Sequence, residues 1–174
     1  MHIDVQPATL EEKPILQNLM ELYLYDYSEI EGDDVDDLGL FGYDYLGHYW
    51  TEPQRHAYLV RVDGKLAGFA LLQTDLPDHR GRNEKRNTIS EFFILRKYRR
   101  RGIGEQVARY LFDNFPGKWQ VAQIPHDVAA QSFWLRVIQR FTGGHFETAS
   151  LDNEHWKGSV LFFEMGRSAR SKQK

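Results

Sequence analysis

Apolar residues recur along this chain at two spacings, which together predict an alternation of helices and strands. Ile3 to Gln6 reads as a short strand. Thr9-x-x-Glu12 then makes a capping box, and Ile15, Leu16, Leu19, Met20, Tyr23 and Tyr27 fall on one helical stripe. Pro14 complicates that start, because proline is comfortable only in the first turn of a helix. Glu29 to Leu38 reads as an acidic loop, and Phe41 to Trp50 as an aromatic, partly helical run. Ala57 to Val62 and Leu66 to Leu72 are strands flanking Asp63-Gly64, the strongest local hairpin signal. A polar excursion from Asp75 to Asn87 leads to a strand from Thr88 to Leu95. The helix Glu105 to Phe115 turns Val107, Ala108, Leu111, Phe112 and Phe115 inward and stops at Pro116-Gly117. After a strand from Trp119 to Ile124, Asp127 caps a helix with Ala130, Phe133, Trp134, Val137, Ile138 and Phe141 on one stripe. Gly143-Gly144 ends it, and strands near His145 to Ser150 and Val160 to Met165 follow. Such an order predicts an α/β (α+β) fold with a mixed sheet rather than a purely doubly wound one.

Composition narrows the class. The 174 residues include 41% hydrophobic and 14% aromatic side chains, enough for a sizeable core in one domain over residues 1–167. Residues 168–174 form a basic tail without an apolar anchor and are expected to be disordered. No apolar run approaches the roughly 20 residues of a membrane span, and the start lacks the pattern of a secretory signal. The expected location is cytoplasmic, with no membrane partner. Cysteine is absent, which excludes disulfides, thiolate metal sites and cysteine nucleophiles. The seven histidines show no paired spacing suited to a metal. Net charge is −3, but residues 1–52 carry −12 and the remainder +9. One pole suits cations and the other anions.

The chemistry concentrates in Phe92-Phe-Ile-Leu-Arg-Lys-Tyr-Arg-Arg-Arg-Gly-Ile-Gly104, between a buried strand and a helix. A dinucleotide fingerprint would need a third glycine, and a nucleotide P-loop would need Gly-Lys-Ser/Thr; neither is present. What remains is a pyrophosphate cradle, in which glycine amides and a helix start face a diphosphate beside Arg99 to Arg101. Glu91, an ionisable group in an apolar strand, is either a catalytic base or a glutamate at the rim, paired with an arginine.

Arg99-x-x-Gly102-x-Gly104, with Tyr98 before it, resembles the core motif of the GNAT superfamily of acetyl-CoA-dependent N-acetyltransferases. Ala130-x-x-Phe133-Trp134 resembles a second motif of that family, and the element order agrees over nearly the whole chain. The resemblance implies the GNAT fold, with about seven strands, and acetyl transfer from acetyl-CoA to a primary amine. It implies that the amine attacks the thioester directly to form a tetrahedral intermediate, without a metal. By position, Phe93, Ile94, Leu95 and Arg96 would line the pantetheine arm, with the Ile94 N–H as oxyanion donor. Arg99, Arg100, Arg101, Gly102, Ile103, Gly104 and Glu105 would take the diphosphate. Asp127, Phe133 and Trp134 would complete the coenzyme side. Glu91 would be the base, with His126 a second candidate.

The acceptor side would hold Tyr27, Glu29, Asp33, Asp34 and Tyr45, since carboxylates and aromatic faces suit a cationic amine. Two departures stand out. Asp127 replaces the family's usual Asn, and Trp134 stands where many members have a tyrosine that protonates the departing thiolate, a role indole N–H cannot fill. A non-catalytic acyl-CoA-binding or sensing domain is therefore the alternative reading. A nucleic-acid module built on Arg96 to Arg101 is disfavoured, because the aromatics lie in the acidic half. Family members often dimerise, so a homodimer is among the expected assemblies.

Overall fold

The first strand, β1 (Ile3–Pro7), buries only Val5 and pairs antiparallel with β2 (Arg55–Val62), Ile3 opposite Val62 and Pro7 opposite Tyr58. Proline suits the end of an edge strand, which has no second neighbour needing its N–H. Asp63 and Gly64 take φ of 49° and 76°, the left-handed pair of a type I′ turn, and lead into β3 (Lys65–Pro77). The computed structural model describes residues 1–166, so the tail 168–174 lies outside them. Its other elements are α1 (Lys13–Glu31), β4 (Lys85–Ile94), α2 (Ile103–Asn114), β5 (Gly117–Gln123), α3 (Val128–Thr142), β6 (Phe146–Asp152) and β7 (Lys157–Met165). The sheet has seven strands in the order β1-β2-β3-β4-β5-β7-β6. It is mixed, as the pattern implies: β4 runs parallel to β5, while β5–β7 and β6–β7 are antiparallel. Among the described residues, no helix is long and apolar enough to cross a membrane.

Packing divides the chain into two units, and β3 and β4 run through both. The first comprises residues 1–72 and 90–101. Its core joins Leu16, Leu19 and Met20 of α1 to Leu59, Phe69, Leu71 and Phe93 of the strands. Glu12 accepts the Thr9 N–H at 3.1 Å, but the box closes a 3-10 turn at Leu10–Glu12. The α-helix begins one residue later with Pro14 in its first turn. The capping box therefore marks the approach to the helix and not its first turn, which Pro14 occupies without needing an N–H.

Gly68 is the most closely approached glycine of this unit. A Cβ built on it would run into the backbone carbonyl of Phe93. We expect Gly68→Ala to cost about 1–3 kcal/mol, since a carbonyl cannot move aside as a flexible side chain can. Urea unfolding of the variant measures it.

The second unit holds residues 73–89 and the chain from Gly102. Phe112 of α2 meets Trp119 edge-on at 4.9 Å between ring centroids, and Phe163 at 5.1 Å. Trp134, Val137 and Ile138 are buried on the stripe of α3, and Asp127 caps that helix by accepting the Ala130 N–H at 2.8 Å. The polar excursion predicted over 75–87 is shorter: β3 continues to Pro77 and β4 starts at Lys85. Fully buried Asp78 draws Arg86 into the interior, with Nε of Arg86 2.5 Å from its Oδ2. Polarity here marks a buried ion pair as well as an exposed turn over residues 81–83.

Candidate active site

Glu91 lies on the part of β4 that belongs to the first unit, half-buried, and its partners are tyrosines. Tyr23 Oη donates to Oε2 at 2.7 Å, and Tyr43 Oη to Oε1 at 3.1 Å. Tyr23 comes from α1 and Tyr43 from the segment before the 3-10 turn at Leu46–Trp50. Burial pushes the Glu91 carboxyl above the ordinary glutamate range, and the two phenol hydrogen bonds pull it partly back. Both phenols are themselves pushed up, first by burial and then by the glutamate charge, so they keep their protons. The arginine partner weighed for Glu91 is absent from the groups acting on it.

Tyr23 carries the cluster outward. Its ring lies 5.5 Å from Tyr27 and 5.8 Å from Phe93, and Tyr43 meets exposed Tyr45 at 6.1 Å. Tyr27 and Tyr45 thus join Glu91 through aromatic contacts. Glu29, Asp33 and Asp34 do not: they are exposed, and among the described residues none is hydrogen-bonded to this cluster.

The arginines after β4 divide into two pairs. Arg96 and Arg99 both hold Asp26 of α1, with Nη2 of Arg96 at 2.7 Å and Nη2 of Arg99 at 2.5 Å. Burial would raise the Asp26 carboxyl, but these contacts hold it below the ordinary aspartate range. Arg99 Nε also donates to the Ile94 carbonyl at 2.6 Å, and the Leu95 N–H is spent on Ala67 at 2.8 Å. Phe93 and Ile94 are buried, so any role of theirs toward a ligand belongs to their backbone. Arg100 and Arg101 are exposed and form no ion pair among the described residues. Asp26 and Tyr23 are residues that the sequence pattern alone does not single out. A tyrosine in a leucine stripe reads as core, and an ion pair spanning 70 residues leaves no local spacing.

The turn into α2 has the backbone that the glycine motif requires. Arg100 takes φ 60° and Gly102 φ 76°, and the helix begins at Ile103, two residues before its expected start. Gly102 stands at the N-cap, where it has no side chain to offer, so the first-turn amides keep their outward direction. A Cβ on Gly102 would meet only the Gln106 side-chain nitrogen at 4.0 Å, so the outer side is open. Glu105, an acid in this first turn, is matched by Arg140 at 2.7 Å. Ile103 is buried core, and Gly104 is half-buried.

Elsewhere in the second unit Asp127 is committed to capping, Phe133 packs on Trp134 at 4.9 Å, and Trp134 is buried against Phe112. His126 is exposed in the turn before α3. No cluster of three potential ligands that could hold a metal occurs among the described residues.

A model of the acetyltransferase (GNAT) family matches residues 16–137, which include Tyr23, Glu91 and the whole glycine turn. Among solved structures, an acetyltransferase of Thermus thermophilus is 18% identical, with a TM-score of 0.66 over 93% of this chain and 96% of that one. One of the GNAT family from Streptococcus agalactiae is 14% identical, with a TM-score of 0.67 over 95% and 96%. The PaiA N-acetyltransferase of Thermoplasma acidophilum, solved in complex with coenzyme A, is 10% identical, with a TM-score of 0.61 over 94% and 99%. The comparison with curated proteins finds no match. With its family model covering most of the sequence from α1 to α3, the chain belongs to the GNAT family of acetyltransferases.

Proposed function

We propose that this protein is an N-acetyltransferase carrying acetyl from acetyl-CoA to a primary amine. The single observation that carries this reading is the turn into α2. Two left-handed residues, Arg100 and Gly102, precede a helix start at which the N-cap makes no side-chain hydrogen bond. Such a start offers N–H groups and the positive end of the helix dipole to an anion. Arg100, Arg101 and the amides from Gly102 to Gly104 would hold the diphosphate, and the backbone of Phe93 and Ile94 the pantetheine arm. A fold relative in complex with coenzyme A supports the assignment. Coenzyme A supplies the activated thioester; Glu91 accepts the amine's proton, and the Ile94 N–H faces the charge that develops on the carbonyl oxygen. Arg96 and Arg99 are committed to Asp26, so their part is to brace the turn and not to grip phosphate. Trp134, buried in an aromatic group, supplies no acid.

Release of free thiol from acetyl-CoA, followed over a panel of polyamines, aminoglycosides, amino acids and peptides, tests the reaction. Tight coenzyme A binding with no turnover on any of them would instead favour the non-catalytic domain. Gly102→Asp is expected to weaken coenzyme A binding by about 100-fold, because a carboxylate would stand against the diphosphate. Gly102→Ala, which adds only backbone strain, is expected to lose far less. Isothermal titration of both variants separates charge from strain, and unchanged binding by Gly102→Asp would remove the cradle.

A further inference from the structure

We propose that Tyr23 and Tyr43 are positioning residues for the transfer, holding the Glu91 carboxylate ionised and aimed for removal of the acceptor's proton. This rests on the reading of Glu91 as the base. A carboxylate taken out of water normally finds a cation, or it takes up a proton and ceases to be a base. Here no cation is bonded to it among the described residues. The hydrogen bonds come from two neutral phenols, one to each oxygen.

The groups around it are laid out so that cations stay away. From α1, Tyr23 faces it with Tyr27 behind, while Asp26 on the same helix draws off Arg96 and Arg99. From the 41–50 segment, Tyr43 faces it, and Tyr49 acts on Tyr43. Phe69 of β3 and Phe93 of β4 pack on Tyr23 and carry no charge. An arginine against Glu91 would make it a weak base; burial without donors would leave it protonated. Two phenols hold it between these extremes, ionised yet basic enough to work near neutral pH.

The geometry also distinguishes the oxygens. Oε2 has a short bond to Tyr23 at 2.7 Å, whereas the Tyr43 bond to Oε1 is long for O–H···O at 3.1 Å. Oε1 is therefore the atom that receives the proton. An N–H bond of the ammonium breaks, an O–H bond forms on Glu91, and the freed nitrogen lone pair attacks the thioester carbon. The C=O π pair moves to oxygen and returns as the C–S bond breaks. The coenzyme leaves as thiolate, and a second proton leaves the nitrogen to solvent. The tyrosines keep their own protons throughout.

The test uses Tyr23→Phe and Tyr43→Phe, each of which keeps the ring and removes one donor. The Glu91 side-chain carboxyl is titrated by carbon NMR in the protein alone, and kcat/KM is then followed against pH with acetyl-CoA and the best amine of the panel. Losing a donor to the ionised form raises the midpoint. We expect about one pH unit for Tyr23→Phe, less for Tyr43→Phe, and the same upward move of the acid limb of the rate profile. Above the shifted limb, activity should return to within a few-fold of the parent. A Glu91 midpoint unmoved in both variants overturns the proposal, as does a rate reduced equally at every pH. A midpoint that moves in a protein acetylating no amine would leave the phenol pair standing and defeat the base assignment alone.

Discussion

Glu91→Gln is expected to lower turnover by about 10³ while leaving coenzyme A affinity within a few-fold of the parent. Glutamine keeps the length of the side chain and can still accept a hydrogen bond from one tyrosine and donate to the other, so the surroundings have little reason to rearrange. What it loses is the ability to take a proton. Were Glu91 a structural carboxylate, the same change would relieve a buried charge, stability would rise and turnover would stay level. Relief of the buried charge is common to both readings, so the rate is what separates them. Steady-state kinetics beside urea unfolding gives the answer, and a rate within a few-fold of the parent removes Glu91 as base. The expected loss is specific to the chemical step, because Glu91 belongs to the tyrosine cluster and the proposed diphosphate contacts are Arg100, Arg101 and backbone amides.

Much of the fold was legible because local chemistry and long-range packing agreed. Asp63-Gly64 takes the left-handed pair that its identity calls for, and Asp127 caps α3 where an acid before an apolar stripe should. The glycine turn was legible for the same reason: only glycine readily takes the left-handed conformation found at 102. What the sequence hid is polar chemistry that closes over distance. Arg86 looks like a loop residue until Asp78 is seen buried beside it. Arg99 reads as a diphosphate ligand and Arg96 as a neighbour of the pantetheine arm, and nothing in their spacing says that both meet Asp26, far away in sequence. Tyr23 sits in an apolar stripe, and nothing in its spacing says that its hydroxyl meets a carboxylate 68 residues on. Hydrophobic periodicity reports which face is buried; it is silent about which polar tips meet there.

The buried ion pair of the second unit leads to the other large expected effect. Asp78→Ala should cost about 3–5 kcal/mol, or roughly 6–15 °C in thermal midpoint for a chain of this size. Asp78 is wholly buried and accepts from Arg86 at 2.5 Å and from Arg80 Nη2 at 2.9 Å. The Arg80 backbone N–H adds a further bond at 2.7 Å. Both guanidiniums lie over the Phe162 ring, Arg80 at 3.8 Å and Arg86 at 5.2 Å from its centroid. Removing the carboxylate strands Arg86, whose remaining partners are Glu84 and the Trp119 carbonyl. The same pair sets a pH dependence. Burial alone would raise the Asp78 carboxyl, but the bonds from Arg80 and Arg86 outweigh it and hold the group well below the aspartate range. A carboxyl lowered in the folded state adds stability that is complete above its unfolded value, about 3.9, and is lost as pH falls below that. The parent should therefore lose stability from about pH 5 downward, and Asp78→Ala should show a shallower loss over the same interval. Parallel curves for the two proteins would mean that Asp78 contributes nothing to acid unfolding, and that the network is held by its arginines' other partners.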